Sequence, residues 1–350
     1  MAAPDDMSGL RDAIEHGCIQ RDAIVAVLGK TEGNGCVNDF TRALASRALH
    51  DLLSDGPCLV MSGGTEGGLS PHMTVFEVRE SAATPAAGAL AVGRAHTRPL
   101  APEDLGRHAQ IALVADGVRT AMSDAGIEHP TDVHFVQIKC PLLTSARIAE
   151  AEARGARTAT RDTLKSMGLS RAASSLGVAI ALGEVAAGEI AEHAIGTDWR
   201  LQSGRASASA GVELMGHEIV VLGRGAGWTG PLRIDHAVMA DAIDVEPVRE
   251  ALARLGLDTP GQLRPEQRSR LKALLAKAEP SSTGMLRGHR HTMLTDSDIS
   301  PTRHARGFTA GALAALVGHA EIYVSGGAEH QGPDGGGPVC VIVEAKGVLA

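Results

Sequence analysis

Aromatic side chains are nearly missing from this sequence: phenylalanine, tryptophan and tyrosine together make up 2% of 350 residues, with a single tyrosine. The core must therefore be built from Ala, Val, Leu and Ile, within an apolar fraction of 44%. Positive charge is also in deficit, with a formal net charge of −8 and an isoelectric point near 6.0. A chain without a basic surface or interleaved aromatics is not built to bind nucleic acid. Cysteine is scarce and odd in number (Cys18, Cys36, Cys58, Cys140 and Cys340), with no C-x-x-C spacing. That usage reads as reduced thiols rather than a disulfide framework. No apolar run approaches the length of a bilayer crossing. The opening MAAPDDMSGL carries acids where a secretion signal needs positive charge. Together these absences read as a soluble, cytoplasmic chain with neither a nucleic-acid nor a membrane partner, and with room for two or three domains.

What the sequence does contain is repetition. "VMSGGTEGG" (Val60 to Gly68) has a near-echo in "YVSGGAEHQG" (Tyr323 to Gly332). Repeats redefine domain organisation, so they are traced first. In the first copy "AIVAVLGK" (Ala23 to Lys30) reads as a buried strand ending on lysine, and "TRALASRALHDLL" (Thr41 to Leu53) has helical spacing. "PCLVMS" (Pro57 to Ser62) and "MTVFEV" (Met73 to Val78) read as further strands. The second copy keeps the order: "VHFVQIK" (Val133 to Lys139), a helix "SRAASSLGVAIALGEV" (Ser170 to Val185) with an arginine in its first turn, a serine turn "SGRASASAG" (Ser203 to Gly211), and "HEIVVLG" (His217 to Gly223). The third runs from "RLKALLAKAE" (Arg270 to Glu279) through the helix "TRHARGFTAGALAALVGHAE" (Thr302 to Glu321) to "IYVSGG" (Ile322 to Gly327) and "PVCVIVE" (Pro338 to Glu344). "VGRAHTRPLAPEDLG" (Val92 to Gly106) reads as a linker, and "AIDVEPVRE" (Ala242 to Glu250) joins the second copy to the third. The copies are bounded at 1–98, 106–243 and 248–350.

Each copy carries a lysine, an arginine opening a helix, and a serine after a strand: Lys30, Arg42, Ser62; Lys139, Arg171, Ser207; Lys277, Arg306, Ser325. The stretch from arginine to serine is longer in the second copy, which implies an insertion there. "RASASAG" offers both Ser207 and Ser209. Counting back from the closing strand favours Ser207, which precedes Val220 by as many residues as Ser62 precedes Val75. A serine hydroxyl needs a base to act as a nucleophile. Lysine can be that base when burial and neighbouring cations disfavour its ammonium form. A small residue after the serine lets a carbonyl approach the next backbone N–H, an oxyanion donor. The pattern points to amide hydrolysis by a Ser-Lys dyad, with arginines gripping an oxygen-rich substrate. Taken singly, such arginines are usually solvated and Ser-Gly-Gly is usually a turn; recurrence in one order carries the functional reading.

Other patterns carry less. "GAGWTG" (Gly225 to Gly230) fits G-x-G-x-x-G after a strand, but Pro231 and "LRIDH" do not open the helix a dinucleotide site requires. The histidines of "RGHRHTML" lack zinc-ligand spacing. "AEHQGPDGGGP" (Ala328 to Pro338) is rich in carbonyls and could wrap a hard cation.

The stretches "GKTEGNGCVNDFTR", "VQIKCPLL", "SMGLSRAASSLG", "ASASAG", "HTMLTDSDISPTRHAR" and "YVSGGAEHQGPDGGGPV" resemble the cyanuric acid amidohydrolase and barbiturase family over nearly the whole chain. The resemblance implies an α/β (α+β) fold of three pseudo-symmetric repeat units, each a sheet backed by helices, around one central active site. It implies hydrolytic ring opening of cyanuric acid to carboxybiuret, then biuret and carbon dioxide. Lys139 would be the base and Ser207 the nucleophile, with Lys30 and Lys277 in supporting pairs. Arg42, Ser62, Gly63, Arg171, Ser207, Ala208, Arg306, Ser325 and Gly326 would hold the substrate, a threefold ring with one carbonyl per serine turn. No cofactor would take part in catalysis, but a structural divalent cation (Mg or Ca) would sit on Glu279, Ala328, Gln331, Gly332, Pro333 and Gly336. A homotetramer is implied as well. A barbiturase would share these motifs and differ in pocket shape, with Thr302 a candidate determinant; a non-catalytic binding protein would keep the arginines without needing Lys139.

Overall fold

The computed structural model describes residues 1–53 and 55–346. The first copy comprises α1 (Ser8–Glu15), β1 (Ile24–Thr31), α2 (Phe40–Leu52), β2 (Cys58–Gly63), β3 (His72–Glu77) and β4 (Leu90–His96). The second comprises α3 (His108–Asp124), β5 (Val133–Pro141), α4 (Ser145–Ala153), α5 (Thr163–Ala181), β6 (Ala206–Gly211), β7 (Glu218–Arg224) and β8 (Leu232–Met239). The third comprises α6 (Glu246–Arg254), the short α7 (Pro265–Arg268), β9 (Leu271–Ala278), the hairpin β10 (Met285–Leu286) and β11 (His289–Arg290), α8 (Pro301–Val317), β12 (Tyr323–Gly326) and β13 (Gly337–Glu344).

Each copy centres on one strand with a parallel neighbour and an antiparallel neighbour. The sheets are ordered β2-β1-β3, β4-β7-β5-β6 and β12-β9-β13-β8. The continuous apolar runs of the central strands follow from burial on both faces. Leu28, Phe135 and Leu275 meet in one core shared by all three sheets, while Val27, Val136 and Leu274 pack outward under the helices. The aromatic shortage is met by Ala, Val and Leu in these layers, with Phe76, Phe135 and Tyr323 in the shared core.

Local chemistry sets the ends of the helices. Asp39 caps α2 by accepting from Thr41 N at 3.1 Å, and Asp162 caps α5 through Lys165 N at 3.0 Å. Pro301 opens α8, and Gly318, at φ 82°, closes it in the left-handed region. Helix α5 is buried on nearly every side, with small residues that let α3, the sheet and the following insertion press close.

Several expectations from the sequence change here. Val92–His96, read as the start of a linker, is the end of β4, which pairs along its length with β7 of the second sheet. Likewise β8 pairs with β13 of the third. The second and third sheets thus take their outer strand from the preceding copy, and the stretches 1–98, 106–243 and 248–350 do not coincide with the sheets. "SGRASASAG" is mostly strand rather than turn. Arg171 lies in the middle of α5 because the helix begins at Thr163, seven residues earlier than the reading from Ser170. Among the described residues no helix is long and apolar enough to cross a membrane.

Because Phe135 is fully buried where the three sheets meet, Phe135→Ala should cost about 3–5 kcal/mol. Ile148→Val, in the small cluster under α4, should cost only about 0.5–1.5 kcal/mol. Urea unfolding of both variants checks the difference, and equal losses would contradict a shared central core.

Candidate active site

The three central strands share an inner stripe: Ala26, Leu28, Lys30; Phe135, Gln137, Lys139; Ala273, Leu275, Lys277. Residues two apart in a strand share a face, so each apolar stripe delivers a lysine to its end. All three lysines are buried. Across each parallel pair a serine stands opposite: Ser62 faces Lys30, Ser209 faces Lys139, and Ser325 faces Lys277. The three hydroxyls meet, with Ser325 Oγ 3.2 Å from Ser62 Oγ and 3.0 Å from Ser209 Oγ.

The register replaces Ser207 by Ser209. Ser207 faces Gln137, one pleat deeper, at the level of Val60 and Tyr323, and is fully buried. The count from the closing strand failed because its anchors are not equivalent. Val75 faces Val27, three residues before Lys30, whereas Val220 faces Gln137, two before Lys139. Ala208 moves with Ser207: its N–H donates to Gln331 Oε1 at 2.7 Å and its carbonyl accepts from Lys277 Nζ at 2.9 Å. Ala210 takes its place beside Gly63 and Gly326. These three residues, with Ser62, Ser209, Ser325, Arg42, Arg171 and Arg306, line one small inner pocket. A wider cavity of about 460 Å³ opens outward from it, past Cys36, Met167, Ile195, Thr302 and Arg303.

Three glutamates to which the sequence reading gave no role organise the arginines. Glu66 holds Arg306 with two hydrogen bonds, and Glu329 holds Arg171 with two, at 2.8 and 2.6 Å. Glu213 lies 3.6 Å from Arg42 Nε, while that guanidinium donates to Ala210 O at 3.0 Å and Cys36 O at 2.6 Å. Each glutamate comes from a different copy than its arginine. The signal was present as Ser-x-Gly-x-Glu: "SGGTE", "SAGVE" and "SGGAE". That pattern also singles out Ser209. Its glycine is required by close approach, because a Cβ at Gly64 or Gly327, both at positive φ, would collide with the guanidinium of Arg306 or Arg171.

The lysines differ in surroundings. Burial first, then Arg306, drives the Lys30 ammonium well below its ordinary range, and its Nζ lies 3.4 Å from Ser62 Oγ. Burial and Arg171 lower Lys277 to about 7, with Nζ 3.2 Å from Ser325 Oγ. Lys139 is lowered by burial but opposed by Glu213, with which it forms a 3.1 Å ion pair; its Nζ donates to Met61 O at 2.6 Å. Burial alone would raise Glu213, but Lys139 and Arg42 draw it down. Of the three pairs, only Lys139 has a carboxylate at its amine.

The stretch expected to hold a cation surrounds the third serine turn. Glu279 is half-buried, accepts from Gly327 N at 2.7 Å and Thr302 Oγ1 at 3.0 Å, and is pushed upward by desolvation and by Glu329. The amide of Gln331 is spent on Ala208 N, Gly327 O and Glu329 O. Ala328 O accepts from Gln331 N and Pro333 O from Gly336 N, both at 2.9 Å, and Gly332 N donates to Ser203 O at 3.0 Å. One half-buried carboxylate and a carbonyl-rich turn offer oxygen donors alone, the chemistry a hard divalent cation takes.

Comparison with known proteins agrees with this architecture. A family model described as "Amidohydrolase ring-opening protein" matches residues 1–344. Cyanuric acid amidohydrolase of Azorhizobium caulinodans is 62% identical over 348 residues, covering 97% of this chain and 95% of that protein. The protein of that name from Pseudomonas sp. strain ADP is 49% identical over 356 residues, covering 98% and 97%. The crystal structure of the A. caulinodans cyanuric acid hydrolase superposes with a TM-score of 0.91 at 60% identity, covering 99% of this chain and 97% of that one. A second cyanuric acid hydrolase structure, described as an innovation by structural concatenation, superposes with a TM-score of 0.93 at 49% identity and the same coverage. The chain belongs to the family of ring-opening amidohydrolases.

Proposed function

We propose that this chain hydrolyses cyanuric acid, opening the ring to carboxybiuret, which then loses carbon dioxide to give biuret. The observation that carries this reading is the meeting of three serine hydroxyls, each opposite a buried lysine and ringed by three arginines. A planar ring with three equivalent carbonyls would offer one to each serine turn, and the names of the relatives support the same substrate.

In the proposed reaction Ser209 Oγ adds to a ring carbonyl while Lys139, neutral at its amine, takes the hydroxyl proton. The proton passes to the departing ring nitrogen as the C–N bond breaks. Water then cleaves the acyl-serine. The N–H groups after the serines and the three guanidiniums would stabilise the oxyanion and the remaining carbonyls. Glu213 supports the choice of this pair: it gives the base a third, orienting group, as in other nucleophile–base–acid arrangements. A second reading, Lys277 with Ser325, is favoured by their 3.2 Å contact and by a lysine lowered to about 7. The oxygen donors of Glu279 and the turn through Ala328, Pro333 and Gly336 would hold a structural Mg or Ca ion. Bound there, it would fix the turn that carries Gly326, without entering the reaction.

Ser209→Ala and Lys139→Ala should each reduce turnover of cyanuric acid by on the order of a thousandfold or more, with little further loss in the double variant. Ser207→Ala should stay near normal. Steady-state kinetics on these four variants and on Ser325→Ala decides the matter. If Ser325→Ala abolishes turnover while Ser209→Ala does not, the second reading holds, and loss of barbituric acid in preference to cyanuric acid would reverse the substrate choice.

Glu213→Gln removes the charge that favours the Lys139 ammonium, so the lysine should lose its proton more easily. The acid limb of kcat/KM should then move to lower pH, with a reduced plateau from lost orientation. Glu66→Gln frees Arg306 instead and should raise KM while leaving that limb in place. A pH–rate profile showing the same acid limb for Glu213→Gln as for the unsubstituted protein would remove Lys139 from the role of base.

A further inference from the structure

The sequence shows no zinc-ligand spacing, yet the fold assembles one compact imidazole and carboxylate cluster from residues about a hundred positions apart. His134 lies on β5 of the second sheet, and Asp235 and His236 lie on β8 of the third. Their donor atoms all fall within 4.8 Å of one another. His134 Nδ1 is 2.9 Å from His236 Nδ1 and 3.5 Å from Asp235 Oδ1. Zinc bound tetrahedrally at roughly 2.0–2.1 Å from nitrogen or oxygen spaces its ligand atoms by about 3.3 Å, and the two observed separations bracket that value.

The surroundings suit a metal better than they suit a bare hydrogen-bonded trio. The rings stand edge to face, centroids 4.9 Å apart, with their Nδ1 atoms opposed. Without a cation, one ring must donate to the other. His134 and Asp235 are 5% and 6% exposed, so water competes little for their donor atoms. Arg254 Nε donates to Asp235 Oδ2 at 2.6 Å and so orients the carboxylate from behind, while Oδ1, which also accepts from His236 N, faces the histidines.

We propose that His134, Asp235 and His236 form a binding site for a divalent transition metal of the zinc type, tying the second sheet to the third. Two imidazoles and one carboxylate are a borderline-soft set that zinc accepts with a fourth position left to water, and that Mg²⁺ and Ca²⁺ do not favour. None of the three residues belongs to the serine, lysine and arginine set, so the site stands apart from the proposed chemistry.

Full-length protein stripped with a chelator and titrated with Zn²⁺ in a calorimeter should bind one equivalent at this site. In His134→Asn and in His236→Asn the affinity for that equivalent should drop tenfold or more. Zinc should raise the melting temperature of the unsubstituted protein and leave that of both variants in place. Co²⁺ added to the unsubstituted protein should give the visible bands of a four-coordinate nitrogen and oxygen site, a readout that needs no variant. Excess Ca²⁺ should not displace either ion. Zinc affinity equal in all three proteins, or an octahedral Co²⁺ spectrum, would overturn the proposal.

Discussion

The site depends on a ring of charge in which every arginine is neutralised by a different copy's glutamate. Glu66 of the first copy holds Arg306 of the third, Glu329 of the third holds Arg171 of the second, and Glu213 of the second lies against Arg42 of the first. Breaking a buried pair of this kind by removing one partner is far costlier than forming it is favourable. Because the ring closes only when three copies are present, none of them can complete its own part of the pocket. The lysines feel the consequence. Guanidinium keeps its proton under any condition the protein meets, so the arginines claim the carboxylates, and two of the three buried lysines are left with hydroxyls and carbonyls at their amines. An ammonium so placed gives up its proton easily. The arginines thus leave Lys30 and Lys277 without a carboxylate at the amine, whereas Lys139 keeps Glu213, which opposes the loss of its proton.

Much of this was legible in the sequence, for identifiable reasons. "AIVAVLGK" and "VHFVQIK" are buried on both faces and end on lysine, and such runs read as strands whatever surrounds them. The order lysine, arginine, serine survives in each copy because the parallel strand pair fixes it. The choice between Ser207 and Ser209 was not legible by counting. The two share a strand face, so composition cannot separate them, and the loop to the closing strand differs in length between copies. The glutamate four positions beyond each serine would have separated them, since only Ser209 has one in Glu213.

Other features lie beyond local sequence. The pairing of β4 with β7 and of β8 with β13 is a choice between competing edges, decided by how three sheets close around one core. The position of Arg171 followed the start of α5, which Asp162 sets with a cap well upstream of the apolar run. His134 and His236 have no shared motif; they meet only because a strand from the second copy is spent on the third sheet.

Symmetry is useful for holding a threefold ring and awkward for breaking it, since cleavage needs one bond to be favoured over two equivalents. The structure departs from symmetry at the second copy. There the stretch between arginine and serine is longest, and its residues Ile195 to Thr197 fold back to line the outer cavity beside Arg171. There too the glutamate is divided: Glu66 and Glu329 each give both oxygens to an arginine, whereas Glu213 stands between Arg42 and Lys139. A carboxylate shared with the lysine loosens its hold on the arginine and at the same time fixes the direction of one amine. The three copies therefore differ in where one carboxylate goes, and the proposed choice of Lys139 as base rests on that difference.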